Sequence, residues 1–321
     1  MAEREILTPI PAVVGPTASG KTALAIALAA RLGGEILSCD SMQIYRDMDI
    51  GTAKPTAKER AAVPHHLIDF LSPETPYSAS DYARDALACA REVLSRGHLP
   101  IFCGGTGLYL AAAVRGGEDA AIPGETAHRA RLEAIGATEE GANALYAELC
   151  EKDPKSAAAT HKNNLRRVIR ALEVLYATGI PKSEWDRRSR EKPPALPVVP
   201  FMIDWPRDAL YARIEARVDE MLREGLLDEV RRLYAAGLLS PNTTAGQAIG
   251  YKEFAAYLRG ETDYETAVAD LKTATRRYAK RQLTWFKADP HLLSLPALGA
   301  DGRPRAVGEL AEEAITLLKR K

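Results

Sequence analysis

Residues 15–22 read Gly15-Pro16-Thr17-Ala18-Ser19-Gly20-Lys21-Thr22, a complete G-x-x-x-x-G-K-T phosphate loop. No other stretch of the chain constrains its fold as strongly. Such a loop needs a buried strand before it and a helix after it, so that backbone N–H groups and the positive end of the helix converge on phosphate oxygens. Both neighbours are present. The apolar run Ile10-Pro11-Ala12-Val13-Val14 precedes the loop, and the alanine-rich segment Lys21–Leu32 follows it as a buried helix. Lys21 is placed to reach terminal phosphates, and the Thr22 hydroxyl to take one coordination place on Mg²⁺. The loop alone does not say whether those phosphates belong to a nucleotide.

Strand and helix continue to alternate downstream. Glu35–Asp40 reads as a second strand running into Asp40-Ser41-Met42-Gln43-Ile44-Tyr45, and His66–Phe70 as a third. A helix is predicted over Ser80–Arg96, capped by Ser80, with Tyr82, Ala86, Ala90 and Val93 on its apolar face. Leu99–Cys103 is a strand ending in Gly104-Gly105-Thr106-Gly107. This order predicts an α/β fold, a P-loop NTPase-like parallel sheet flanked by helices, with ligands at the carboxyl ends of the strands. Residues 116–195 carry no convincing strand; Thr126–Ile135, Gly141–Glu151 and Asn163–Thr178 read as helices, opened by Gly116-Gly117 and closed by the proline-rich stretch 192–197. The chain therefore divides into a first core segment (1–115), an all-helical insertion domain (116–195) and a C-terminal core segment (196–321). In the last, a strand Val198–Ile203 returns to the sheet, residues 207–288 are helical with a break at 237–244, and a short strand Leu292–Leu295 follows.

Lys and Arg total 43, as do Asp and Glu, so no global field announces a polyanionic partner and any nucleic-acid site must come from local clustering. The four cysteines, Cys39, Cys89, Cys103 and Cys150, form no C-x-x-C pair, which argues against a zinc site or disulfide framework and fits a reducing cytosol. Without a signal peptide or a membrane-length apolar run, the expectation is a soluble cytoplasmic protein, monomeric by default.

Asp40 stands at the mouth of a strand beside the phosphate loop, either as a general base or as a loop aspartate that caps a turn or touches Mg²⁺ through water. Thr106 follows another strand among glycines that admit a substrate to the backbone, although a helix N-cap explains it equally. No apolar strand ending in a metal-holding Asp is evident, which counts against a motor or signalling NTPase. Arg213 and Arg217 share a helix face, where one could meet a pyrophosphate; ion pairs with nearby glutamates are the default. Basic residues cluster at 162–170 and at 272–287, the second interleaved with Tyr278, Trp285 and Phe286. Aromatic platforms beside cations suit unpaired bases, while a solvated helix face is the plainer reading.

Taken in order over nearly the whole chain, these segments resemble the tRNA dimethylallyltransferase (tRNA isopentenyltransferase) family. The resemblance is carried by the phosphate loop and by Asp40-Ser41-Met42-Gln43-Ile44-Tyr45, Asp49-Ile50-Gly51-Thr52-Ala53-Lys54-Pro55 and Pro64–Asp69. It continues through Gly104-Gly105-Thr106-Gly107-Leu108-Tyr109, Asn163–Glu173, Gln247–Glu253 and Thr275–Phe286. No cysteine–histidine zinc finger of the kind some eukaryotic relatives carry is seen, so the likeness is to the bacterial type. It implies transfer of dimethylallyl from its diphosphate to N6 of the adenosine 3′ of the anticodon, with the loop holding an isoprenoid diphosphate and Mg²⁺. Carried over residue by residue, Asp40 would be the base and Thr106 would hydrogen-bond in the reaction centre. Gly15, Pro16, Thr17, Ala18, Ser19, Gly20, Lys21 and Thr22 would hold diphosphate, Thr22 also the metal, and Arg217, or failing it Arg213, the departing pyrophosphate. The implied tRNA contacts are Asp40, Ser41, Met42, Gln43 and Thr106 in the first core segment. They continue with Arg129, Asn163, Asn164, Leu165, Arg166 and Arg167 in the insertion, which would grip the anticodon arm. Gln247, Ala248, Ile249, Gly250, Tyr251 and Lys252 follow, then Lys280, Arg281, Gln282, Leu283, Thr284, Trp285, Phe286 and Lys287. The rival readings are a free adenine-nucleotide prenyltransferase, a small-molecule kinase and a non-catalytic RNA-binding protein.

Overall fold

Five consecutive buried residues, Ile10–Val14, make β1, and burial on both faces is what a central strand of a parallel sheet requires. In this computed structural model, which describes residues 9–116 and 127–321, β1 is joined by β2 (Gly34–Ser38), β3 (His65–His66), β4 (Leu99–Gly104), β5 (Val198–Asp204) and β6 (Leu293–Pro296). The six strands run parallel in the order β3-β2-β4-β1-β5-β6. Register decides where the site lies. Ser38 pairs with Cys103 and Val14 with Gly104, so the chain leaves β2, β4 and β1 side by side and nearly level. Asp40, Thr106 and the phosphate loop follow those three exits.

Contacts divide the chain into two compact units. The first comprises the chain up to Tyr77, Asp85–Ala111 and Leu196–Lys321; the second comprises Ser78–Arg84 and Ala112–Ala195. In the first, helices Lys21–Leu32 and Val307–Leu318 cover the sheet through Leu24, Leu28, Leu310 and Ala314, packed with Val13, Ile101 and Phe201. A separate apolar cluster joins Ile44, Tyr45 and Met48 to Leu226, Val230, Tyr251, Phe254 and Leu271. The second unit is helical, with Leu132, Leu145, Leu149, Val168 and Leu172 as its centre. Among the described residues, no helix is long and apolar enough to cross a membrane.

Several expected boundaries move. The strand expected over His66–Phe70 is only His65–His66, because Leu67 and Asp69 take left-handed backbone conformations (φ 57° and 62°) that end strand geometry. The cap of helix Ala79–Ser95 is Ser78, whose hydroxyl accepts from the Asp81 N–H at 3.1 Å while Asp81 accepts from the Ser78 N–H, rather than Ser80. Besides the expected break at 237–244, the 207–288 region breaks at Gly225 (φ 101°) and at Gly260, giving Arg207–Arg223, Leu226–Ala235, Tyr251–Leu258 and Tyr264–Lys287. Helices Lys182–Glu191 and Val307–Leu318 were not foreseen. The charged first residues, Gly117 and Thr126 lie outside the described residues.

Candidate active site

The phosphate loop is a turn of unusual backbone. Gly15 (φ 129°) and Gly20 (φ 92°) take conformations open to glycine, and Ala18 (φ 62°) is left-handed without that freedom, at a cost of roughly 1–2 kcal/mol. Its neighbours hold it there. Arg213 Nε donates to the Ala18 carbonyl at 2.8 Å, and its guanidinium stacks on Trp205 at 4.3 Å; Trp205 Nε1 donates to the Ser19 carbonyl at 2.9 Å. Arg213 is thus committed to shaping the loop, not to an ion pair with a glutamate. The Ser19 side chain is buried with its hydroxyl unpartnered. Lys21 Nζ donates weakly to the Pro16 carbonyl at 3.4 Å. Burial pulls the Lys21 ammonium below its usual pKa; Arg217 acts in the same direction and Asp40 opposes it.

Thr17, Lys21, Thr22, Asp40, Arg217 and Tyr278 open on one cavity of about 1210 Å³. Asp40 Oδ1 accepts from the Met42 N–H at 2.9 Å, and its second oxygen has no hydrogen bond to a described residue. Thr106 does not line this cavity itself. Its hydroxyl accepts from the Ser41 N–H at 3.0 Å and sits 3.3 Å from the Ser41 hydroxyl, so it fixes the turn that carries Asp40. Gln43 is spent internally: Oε1 accepts from Ser38 at 3.1 Å, and Nε2 donates to the carbonyls of Thr52 and Ala53, both at 3.2 Å.

Arg217 differs from Arg213 in its surroundings. It lines the cavity, and it makes no hydrogen bond or ion pair with any described residue; burial lowers its pKa, against the longer-range pull of Glu224 and Glu59. A guanidinium that opens on a cavity without a partner is a ready counter-charge for an incoming anion.

Tyr278 is a site residue that its sequence context hid. Its phenol reaches the Thr106 side chain, lies under the influence of Asp40, and carries the Arg281 guanidinium 5.5 Å from its ring. Burial, reinforced by Asp40, raises its pKa, so it stays protonated. The signal was present, a tyrosine one turn before Gln282, but an aromatic in a basic helix reads equally as a stacking platform.

The residues expected to face RNA separate into two groups. Gln247, Lys252, Lys280, Arg281, Thr284, Trp285 and Lys287 are exposed, and Ser41, Met42 and Ile249 half-buried. Tyr251, Gln282 and Phe286 are corrected: Tyr251 is wholly buried with its hydroxyl donating to Glu229 Oε1 at 2.6 Å, Gln282 is held inside the site, and Phe286 lies in the core. Ala248 and Gly250 are also buried, and Leu283 packs against Leu210 and Ile214. The 272–287 cluster is less free than its local sequence suggests, because Arg276 pairs with Glu215 (2.5 Å), Lys272 with Asp219 (2.6 Å) and Lys287 with Asp204 (3.1 Å). In the helical unit, Asn163, Asn164, Arg166 and Arg167 are exposed, Asn164 capping helix Leu165–Thr178 by accepting from the Arg167 N–H. Leu165 packs on that unit's core, and Arg129 pairs with Glu133 (3.0 Å) near the buried Glu173.

For a metal, the described residues offer no group of three or more His, Cys, Asp or Glu side chains. Thr22 opens on the cavity beside Lys21. One hydroxyl at a phosphate loop suits Mg²⁺, which keeps most of its shell from water and phosphate oxygens, and does not suit a protein-caged ion.

Known proteins share this architecture. A family model described as IPP transferase matches residues 43–289, and one described as Isopentenyl transferase matches residues 8–69. The tRNA dimethylallyltransferase of Roseiflexus sp. strain RS-1 is 48% identical over 300 residues, covering 94% of this chain and 97% of that protein. That of Geobacillus thermodenitrificans is 50% identical over 275 residues, 86% of each. The full-length tRNA isopentenylpyrophosphate transferase of Bacillus halodurans superposes with a TM-score of 0.68 at 41% identity over 97% of both chains. A eukaryotic dimethylallyltransferase acting on tRNA gives a TM-score of 0.74 at 29% identity, over 89% of this chain and 74% of that one. With a family model spanning most of its length and relatives near half identity, the chain belongs to the IPP transferase family of tRNA dimethylallyltransferases.

Proposed function

We propose that this protein transfers a dimethylallyl group from dimethylallyl diphosphate to N6 of adenosine-37, the base 3′ of the anticodon in tRNA, giving N6-isopentenyladenosine and diphosphate. The observation that carries this reading is the meeting of Lys21, Thr22, Arg217 and the Asp40 carboxylate on one cavity. In it, a basic diphosphate cradle faces a carboxylate with one uncommitted oxygen.

An adenine exocyclic amine is a weak nucleophile because its lone pair is delocalised into the ring. As the new N6–C bond forms and the allylic C–O bond breaks, Asp40 takes the N6 proton, worth about 10²–10⁴-fold in rate. Thr106 holds the Asp40–Ser41 turn in place for that transfer. Lys21 and Arg217 balance the charge that develops on the leaving diphosphate, in a site where desolvation strengthens each contact. Thr22 would hold Mg²⁺, which would supply further neutralisation of the same charge. Extruding the target base from the anticodon loop costs a few kcal/mol, offset by stacking and ionic contacts with exposed Trp285, Arg281, Lys280 and Lys252. Asn163, Arg166 and Arg167 of the helical insertion contact the anticodon arm.

Incubation with Mg²⁺, radiolabelled dimethylallyl diphosphate and an anticodon stem-loop RNA tests this, with AMP and ADP as parallel acceptors. Label should enter RNA bearing adenosine 3′ of the anticodon and not RNA bearing guanosine there. Asp40→Asn should lower turnover by about 10²–10⁴-fold while RNA affinity is kept. Label in AMP or ADP would make the protein a free-nucleotide prenyltransferase, and undiminished turnover in the variant would remove Asp40 as the base.

A further inference from the structure

Helix Tyr264–Lys287 turns Tyr278 and Gln282, four residues apart, toward the reaction centre on one face. Gln282 is only 5% exposed. Its Nε2 donates to the Gly105 carbonyl at 2.9 Å, and its Oε1 accepts from the Thr17 N–H at 3.2 Å. Thr17 belongs to the phosphate loop, and Gly105 directly precedes Thr106, which fixes the Asp40 turn. One amide therefore joins the loop that takes the donor to the turn that faces the acceptor. The fit is close: a Cβ on Gly105 would lie 2.0 Å from Gln282 Nε2.

The chemistry of the clamp is specific. A neutral side chain that donates at one atom and accepts at another, on a stem this long, must be glutamine; leucine does neither, and an ionised glutamate only accepts. With the loop read as the diphosphate cradle, the Thr17 N–H is among the backbone donors facing the ligand. Loading the loop therefore competes with Gln282 for this N–H, and any change in the Gln282 amide is felt at the Gly105 carbonyl.

We propose that Gln282 is a positioning residue that couples the donor loop to the acceptor turn, so that diphosphate in the loop alters the affinity of the site for RNA. The inference rests on the reading of this cavity as the prenyl-transfer site.

The test measures anticodon stem-loop binding by fluorescence anisotropy, with and without magnesium pyrophosphate, in the wild type, Gln282→Leu and Gln282→Glu. Gln282→Glu preserves shape and the acceptor for Thr17 but loses the donor to Gly105. In the wild type, pyrophosphate should change RNA affinity by about fivefold or more, the lower range of measured couplings. In both variants that ratio should fall toward one. If Gln282→Leu does not fold, the isosteric Gln282→Glu decides alone. An uncoupled wild type, or variants that keep the full ratio, would overturn the inference. Prenyl transfer by the wild type is assayed beside it: transfer with unchanged coupling in the variants sinks only the clamp, whereas no transfer to any acceptor sinks the functional reading.

Discussion

Glu229 and Arg217 are charges of the same unit, one buried and one exposed at a cavity, and the fold surrounds them in opposite ways. Glu229 is 2% exposed, and its carboxylate accepts from the N–H groups of Asp49 (3.0 Å), Ile50 (2.9 Å) and Gly51 (3.1 Å) and from the Tyr251 hydroxyl (2.6 Å). Four charge-assisted bonds balance its desolvation and tie the 49–51 loop to helices Leu226–Ala235 and Tyr251–Leu258. Arg217 has no such shell and opens on the cavity. A buried charge that the protein itself satisfies holds structure together; an exposed charge lining a cavity is open to a partner from outside.

The pair makes a reciprocal prediction, and the largest effects belong to it. Arg217→Leu should lower turnover by about 10²–10³-fold, the scale of losing one donor to developing negative charge. Its thermal midpoint should hold, because an exposed charge that pairs with no described residue adds little to stability. Glu229→Leu should instead destabilise the protein by about 3–5 kcal/mol, since three N–H groups and a phenol lose their acceptor. Urea unfolding and steady-state kinetics on both variants read the contrast directly. A destabilised Arg217→Leu, or a stable Glu229→Leu, would dissolve it.

A second satisfied charge sharpens the comparison through pH. Glu35 lies near the amino end of β2, five residues before Asp40 on the same run of chain. Its carboxylate meets Arg96 Nη2 (2.7 Å), His66 Nε2 (2.5 Å) and His98 Nδ1 (2.5 Å). Burial opposes its ionisation, but hydrogen bonds from Arg96, His66 and His98 outweigh that and hold it down to about 2. For an acid whose folded pKa is depressed, the stabilisation is complete above the ordinary value near 4.5 and is lost as pH falls toward about 2, up to roughly 3 kcal/mol in all. Denaturant midpoints between pH 6 and pH 3 should therefore fall more steeply for the wild type than for Glu35→Gln. Parallel curves would mean that the cluster adds no net stability.

What the sequence disclosed follows the same divide between near and far. The phosphate loop, the strand exits at Asp40 and Thr106, and the helical character of residues 127–191 depend on neighbours within a few residues, and they are legible as spacing and composition. The roles of Glu229, Tyr251, Gln282 and Arg213 depend on partners at the far side of the chain: Glu229 binds Asp49, Gln282 binds Thr17, and Arg213 binds Ala18. Local chemistry could not assign them. Tyr251 in a Gly-Tyr-Lys stretch and Gln282 in a Lys-Arg-Gln stretch look like surface residues of a basic helix until the fold brings their acceptors to them. The 272–287 cluster misleads in the same way, since the acids that neutralise part of it sit on helix Arg207–Arg223 and at the end of β5.

Tyr278 stands between the two classes, and the smallest predicted effect distinguishes them most finely. Its hydroxyl is partnered inside the protein, by Thr106, yet that partner fixes the turn bearing Asp40, the proposed base. Removing the hydroxyl in Tyr278→Phe should cost one net hydrogen bond, about 0.5–1.5 kcal/mol, hence about a three- to tenfold fall in kcat at little cost in stability. Because burial and Asp40 keep the phenol protonated at neutral pH, Tyr278 adds no limb to the pH–rate profile there, and the profile should keep its shape in the variant. A full kcat with a lowered thermal midpoint would place Tyr278 with Glu229, as a polar group that serves folding alone. A reduced kcat with an unchanged midpoint would show that an internally satisfied group can act in catalysis by fixing the position of its neighbour.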